Sequence, residues 1–443
     1  MRKVLIVCLG IVLSLPILAQ ENTTEQNPQF LKISLREAVQ YAVDHNRSLQ
    51  NATLDEKQQH AARWQTIATM LPQVSGTLDY LNMCGYKMNI GGMASVPMNP
   101  NGTLGVTAAM AFSGKQVVAT LLNNLAIEMS EVSKKKTEQT VINNVITNYY
   151  TILTLTETID LLERNYENLT VLHQRAQKAV DVGAAEQISA DQIEVQVNTY
   201  KTSISDVKLN REVLISMLKF ILGLDNVTEI ELTDKISDLM SVEESLAILN
   251  EEFDIEKNYD YQLVSKNTEL AKKQITLAAM DYIPSISAYY KYSAKTYFGA
   301  DEGFNMTNPN TVGVSLSVPL WSSGQRASAI TQKKLALQSA QNTLLDTKDQ
   351  LNISNYQYRY NLKNAYEKYM VQKKNTEVSQ KVLDNISKKF DYGYASSTEV
   401  TTASQDLITA QTNYVNAVLS TVEAYLNLKD LINIPYEDIN DNK

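Results

Sequence analysis

The residues of this chain able to do chemistry are few, and none are grouped for it. His45, His60 and His173 are the only histidines. They lie far apart, with no carboxylate or cysteine at metal-ligand spacing. No glycine-rich phosphate loop and no nucleophile motif occurs. The acids along the long patterned stretches stand singly, as ordinary solvated groups do. An enzyme is therefore not expected, nor is a metal or cofactor. The two cysteines, Cys8 and Cys84, cannot form a disulfide framework, because Cys8 falls inside an apolar leader. A net charge of −9 argues against nucleic acid as a partner.

That leader is residues 1–19. Arg2 and Lys3 precede the apolar run Val4 to Leu15, and Ile17-Leu18-Ala19 ends it on a small residue, the layout of a secretory signal. The run is too short to span a bilayer as a helix, and no later segment is long and apolar enough to do so. Tyrosine is over-used, at 24 against 7 phenylalanines and 2 tryptophans. Amphipathic rings of that kind suit a boundary between water and an apolar phase.

With no reactive site to position, the elements themselves carry the function. Residues 115–182 and 325–392 each run 68 positions without glycine or proline. Each run is bracketed by glycines, Gly114/Gly183 and Gly324/Gly393, and the two brackets are offset by 210 residues. As helices they make rods of roughly 100 Å. Ile330, Leu337, Leu344, Leu351, Tyr358 and Ala365 recur every seven residues. Val141, Leu155, Leu162, Leu169 and Ala176 do so in the first rod, with Asn148 the exception. Companion positions such as Ala340, Thr347 and Ser354 are small or polar. Such a stripe supercoils left-handedly and packs side by side. A plain antiparallel coiled coil would show the same heptads.

Alternation takes over where Pro72 and Pro284 stop the preceding helices. Val74, Leu78 and Tyr80 oppose Ser75, Thr77 and Asp79. Leu104, Val106, Ala108, Met110 and Phe112 oppose Thr103, Gly105, Thr107 and Ala109. In the second half Ile286, Ala288, Tyr290 and Tyr292 oppose Ser287, Tyr289 and Lys291, while Val312, Val314 and Leu316 oppose Thr311, Gly313 and Ser315. Period two means strands with one apolar face. The expected order in each repeat is helix, strand, loop, strand, very long helix, shorter helix. Residues 20–223 form the first repeat, with strands 73–90 and 103–113 and helices 115–182 and 184–222. Residues 224–434 form the second, with strands 285–298 and 311–321 and helices 325–392 and 394–432. A tail, 435–443, follows. Ser34/Glu37 and Ser241/Glu244 read as capping boxes.

If the apolar faces meet lipid, every backbone group needs a partner and the sheet must close. Four strands are too few, since about eight is the smallest usual barrel. Several copies must then share one barrel, and the strand count alone leaves two or three open. A small soluble sheet packed on the helices is the competing reading.

Taken in order, the landmarks resemble the TolC family of outer-membrane efflux channels. They are Leu35-Arg36-Glu37-Ala38-Val39, His45-Asn46-Arg47-Ser48-Leu49, Leu71-Pro72-Gln73-Val74-Ser75, Phe112-Ser113-Gly114 and Val318-Pro319-Leu320-Trp321. The helix turns around Val182-Gly183-Ala184 and Tyr392-Gly393-Tyr394 complete the set. The resemblance covers nearly all of the chain after the leader, in both repeats. It implies a mainly α fold with membrane β: a homotrimer whose antiparallel coiled coils form a periplasmic α-barrel below a shared twelve-stranded β-barrel in the outer membrane. It also implies a duct fed through a periplasmic adaptor (a membrane fusion protein) by an inner-membrane pump of the resistance-nodulation-division or ABC type.

Carried over residue by residue, Val182, Gly183, Ala184, Tyr392, Gly393 and Tyr394 become the tip that docks the adaptor. Glu399, six residues past Gly393, stands where the family often places an acid facing the tunnel entrance. Its first-repeat counterpart is Ser189, and Thr402 takes the second ring position, so one carboxylate ring at most is expected. Asp191 or Glu186 is the alternative source of charge there. A solvated helix face is the ordinary reading of each. The family's arginine latch maps to Ala395 and is absent or relocated. Tyr80, Tyr86, Phe112, Tyr292, Tyr297, Phe298 and Trp321 are expected as interfacial belts against outer-membrane lipid, with packing between chains as the other reading. A non-conducting periplasmic coiled-coil scaffold is the alternative to the duct.

Overall fold

The structure, a computed structural model, describes residues 30–88, 95–97, 99–235, 246–298 and 309–434. The expected leader, the Ser241/Glu244 capping box, the C-terminal tail and most of the two inter-strand loops lie outside them. The elements run β1 (Phe30–Ile33), α1 (Leu35–His45), α2 (Arg47–Ala68), β2 (Gln73–Leu81), β3 (Lys87–Met88), β4 (Val96–Pro97), β5 (Asn101–Phe112), α3 (Gly114–Asp181), α4 (Gln187–Leu222) and β6 (Glu229–Leu232). The second half follows with α5 (Tyr259–Ala279), β7 (Ser285–Tyr297), β8 (Asn310–Ser317), α6 (Gln325–Asp391) and α7 (Ser397–Ile432).

Both long helices form without interruption because nothing in them breaks the ladder. In the tip half of α3 the buried residues Thr158, Leu162, Asn165, Leu169, Leu172 and Ala176 alternate spacings of four and three. That is the seam of a coiled coil. Leu162, Leu169 and Ala176 form one row, while Thr158 and Asn165 in the companion row are polar. Across from Asn165, Gln380 of α6 exchanges amide hydrogen bonds with it at 3.1 and 3.3 Å. The expected heptad phase fails around Leu155, which is only half-buried, while Ile152 and Ile159 take the core positions. There α1 and the end of α4 crowd in, and the narrow seam widens into a thicker core of Val145, Tyr149, Ile152, Leu218 and Leu222.

Element ends differ from the expected ones for local reasons. Helix α4 starts at Gln187 and α7 at Ser397, because each turn needs several residues beyond its glycine. Strand β8 ends at Ser317, short of Pro319, which has no N–H to continue a ladder. Strand β2 ends at Leu81, and a turn at Cys84-Gly85, both at positive φ, leads into the small β3–β4 hairpin. The parallel pair β1–β6, Phe30↔Glu229 to Ile33↔Leu232, is too short to show period two in the sequence. Asp234, just after β6, accepts from the Leu35 N–H at 2.7 Å and from the Tyr149 hydroxyl at 2.8 Å, which fixes this pair to α1 and α3.

A further symmetric device appears in both repeats. The Asn46 side chain caps α2 by accepting from Ser48 and Leu49 N–H, and its amide donates to the Ile221 carbonyl at 2.7 Å. Asn258 does the same for α5, donating to the Leu431 carbonyl at 3.1 Å. One buried side chain thus satisfies the open end of one helix and the last turn of another.

Candidate functional site: an open-edged sheet and a two-turn tip

Strands β2, β5, β7 and β8 form one antiparallel sheet in the order β2-β5-β7-β8. The register places Val74, Leu78 and Tyr80, then Leu104, Val106, Ala108 and Met110, then Ala288, Tyr290 and Tyr292, then Val312, Val314 and Leu316 on the same face. Among the described residues no element covers that face. Leu78 is 81% exposed, Val312 77% and Val74 72%. A contiguous apolar surface of this kind requires an apolar neighbour. The opposite face carries Ser75, Thr77, Asp79, Thr103, Thr107, Tyr289, Lys291 and Ser315. Both outer strands, β2 and β8, leave a row of backbone donors and acceptors unpaired among the described residues. Long exposed edges of that sort are templates for another strand.

The expected interfacial aromatics fall into separate groups. Tyr80 and Phe298 meet at the end of the sheet away from the helices, with ring centroids 6.0 Å apart; Tyr86 lies beyond them in the turn before β3. Phe112 and Trp321 lie at the helix end, and Trp321 is 84% exposed. Tyr292 sits within β7, opposite Val106 and Asn310. Tyr297 belongs by register to the polar face, under the Lys295 ammonium at 5.1 Å from its ring.

At the far end of the rods, Gly183 and Gly393 have φ of 72° and 76°. After Gly183, the Ala184 N–H reaches the Ala179 carbonyl at 2.7 Å, and the Gly183 N–H reaches Val180 at 2.9 Å. The second turn repeats this with Tyr394 to Lys389 at 2.8 Å and Gly393 to Phe390 at 2.9 Å. Both are Schellman ends, in which the left-handed residue satisfies carbonyls the helix leaves open. Val182, Tyr392 and Tyr394 are exposed around them. Between the two turns lies a groove of about 750 Å³, lined in part by Ala184, Ser189, Tyr392, Gly393 and Ser397. Arg175 of α3 forms an ion pair with Asp391 of α6 beside this groove, and Gln192 of α4 accepts from the Ser397 hydroxyl at 2.7 Å. Ala395 carries nothing that could replace these cross-ties.

Glu399 is held in a capping box. Its Oε2 accepts from the Ser396 N–H at 2.7 Å and from the Ser396 hydroxyl at 2.9 Å, and its own N–H donates back to Ser396 Oγ. Those donors, the backbone one first, hold its carboxyl below the usual glutamate range. The signal was present in the sequence: Ser396-x-x-Glu399 has the spacing of Ser34-x-x-Glu37. Thr402 donates to the Thr398 carbonyl, and Asp191 accepts from Gln187 at 2.7 Å. Ser189 lines the same groove as Ser396, the Glu399 carboxylate's partner. Among the described residues no cluster of histidine, cysteine and acids is placed to hold a metal ion.

The sequence matches the outer membrane efflux protein family over residues 38–224 and 255–433. The chain belongs to that family. Efflux proteins of this kind are outer-membrane channels, not enzymes, and this one shares their mainly helical TolC-like fold. Solved structures agree in shape. The chain is similar to CusC, at 15% identity over 93% of this chain and 95% of that one, with a TM-score of 0.72. It is similar to the Campylobacter jejuni CmeC outer membrane channel at 15% identity, 94% and 90% coverage and a TM-score of 0.71. The open state of the Neisseria gonorrhoeae MtrE channel gives 14%, 90%, 88% and 0.70. No curated protein matches this efflux protein in sequence.

Proposed function

We propose that three copies of this efflux protein join β8 of one to β2 of the next, closing a twelve-stranded barrel in the outer membrane above a twelve-helix periplasmic tunnel. The observation that carries this reading is the sheet, with an uncovered apolar face on one side and an open edge at each end. In lipid such edges are untenable unless paired. The exposed apolar rows on α4 (Leu209, Val213, Met217) and on α6 (Leu345, Ile353, Tyr356) offer the matching lateral contacts between neighbouring chains.

The duct passes cargo that an inner-membrane pump, of the resistance-nodulation-division or ABC type, delivers through a periplasmic adaptor. The adaptor docks at the Val182-Gly183-Ala184 and Tyr392-Gly393-Tyr394 turns and the groove between them. Glu399, kept ionised by its cap, supplies one ring of carboxylates near the entrance. Asp191, tied to Gln187, and the uncharged Ser189 and Thr402 form the rest of that entrance. The belts of Tyr80, Tyr86 and Phe298 at one rim and Phe112 and Trp321 at the other mark the two membrane surfaces.

Fractionation tests the reading. The protein should remain in outer membranes after a high-salt wash and extract in mild detergent as a trimer. Release as a soluble protein is the result a non-conducting scaffold would give.

A further inference from the structure

Charge on the polar face of the sheet is opposite in sign to that of the whole chain. Among the described strand residues of that face, Lys291 and Lys295 stand against the single carboxylate of Asp79, in a chain whose overall balance is −9. Neither lysine makes an ion pair among the described residues, and Lys295 instead lies over the Tyr297 ring. Two ordinary explanations for strand lysines fail here. Edge strands carry lysine to block unwanted pairing, but β7 is paired on both sides, with β5 and with β8. Lysines near lipid reach back to the headgroups, but register puts both on the face opposite the apolar one.

The two lysines also differ in company. Across the sheet, Lys291 shares its row with Ser75, Thr107 and Thr311, three hydroxyls and no acid. Lys295 shares its row with Thr103 and Asp79. Two strand spacings, about 10 Å, separate that carboxylate from the ammonium's strand, too far for a contact pair but near enough to offset part of the charge. Along β7 the two positions are about 14 Å apart.

We infer that the assembled barrel contains a basic girdle, in which a Lys291 ring set among hydroxyls, with a second, partly offset Lys295 ring beyond it, favours anionic solutes at the exit. The inference rests on the trimeric barrel proposed above. Twelve strands about 4.8 Å apart and tilted about 40° enclose a wall of roughly 12 Å radius. Lysine side chains reach well into such a lumen. The space left is comparable with the Debye length of about 8 Å at physiological salt, so the field of the ring covers the whole cross-section. Rings of lysine select for anions and phosphate-bearing solutes where rings of acids select for cations. Ser and Thr hydroxyls add donors that an oxyanion accepts.

The test is the reversal potential of purified trimers in planar bilayers under a tenfold KCl gradient. Lys291→Gln should raise the cation-to-anion permeability ratio by about twofold or more, and Lys291→Gln with Lys295→Gln should raise it further. Asp79→Asn should move the ratio the other way, and Lys291→Arg should leave it in place. All three positions lie on the polar face, so a normal channel size certifies that each variant has assembled. A double variant that conducts at full size with the wild-type ratio would overturn the girdle and leave the duct intact. Unaltered trimers that conduct nothing would overturn the duct and the girdle together.

Discussion

Glu399 has one observed job, the cap, and one proposed job, the entrance ring. It closes the cap that starts α7, and its ionised form is what an entrance ring requires. The chain itself separates these roles, because Gln116 performs the same capping task for Ser113 at the start of α3. Glu399→Gln should therefore preserve the helix start while removing the charge. The expected result is unchanged thermal stability with weaker block of single-channel current by divalent cations; unaltered block would remove the ring. Ser396→Ala breaks the cap instead, at a cost of about 1 kcal/mol, and should loosen the tip without altering ionic selectivity.

Asp430 is the other titrating residue with consequences. Burial pushes its carboxyl up to about 6, against the Asn143 amide and the Lys429 and Lys136 ammoniums, which pull it down. A folded-state value above the unfolded one means the folded state binds the proton more tightly. The associated stability is present below about pH 4 and is lost as pH rises through 6. Asp430→Asn keeps the shape and the Asn143 partner but never ionises. It should melt higher than the parent at pH 8, by up to about 3 kcal/mol of stability, and the difference should vanish near pH 4. Equal melting at both pH values would show that the carboxylate is better solvated than its setting implies.

At the scale of elements, the asparagine clamps make the sharpest prediction. Asn46→Ala and Asn258→Ala each remove an N-cap and leave a last-turn carbonyl buried without its donor, at a cost of roughly 2 to 3 kcal/mol apiece. Melting of either variant should fall well below that of an exposed control such as Asn198→Ala. On the sheet, Val314→Arg places a charge on the uncovered apolar face and should cost about 2 to 4 kcal/mol if that face meets hydrocarbon. Trimer yield from membranes would then drop. Full yield would mean the face meets water.

Much of this element map was legible in the sequence, because glycine, proline and strict periodicity have direct backbone consequences. The rods, the strand faces and the reversing glycines follow from them. What escaped is physically different. The β1–β6 pair is too short to carry a period. The clamps depend on a contact between residues 175 positions apart, although the repeat of Asn46 by Asn258 was visible. The phase slip at Leu155 arises because α1 and α4 thicken the core around it, which no single-helix pattern records.

At the scale of the whole molecule, the chain has the form of a fraction. Its core is a thin seam along the rods and a thicker knot where α1, α3 and α4 meet, while among the described residues the sheet has a bare face and two bare edges. Hydrophobic surface left in this state calls for a cover, which the proposed trimer and the outer membrane would supply. The tip is likewise composite: its groove is shared by the two repeats, as expected if a duplicated unit forms alternating docking positions around a ring.

The most direct measurement is the mass of the detergent-extracted protein, taken with a cysteine placed in β2 and another in β8, in a chain whose Cys84 is replaced by serine. The account predicts three chains per particle and disulfide cross-links that join β2 of one chain to β8 of the next. A single-chain particle, dissolved without detergent and showing no cross-links between chains, would contradict it.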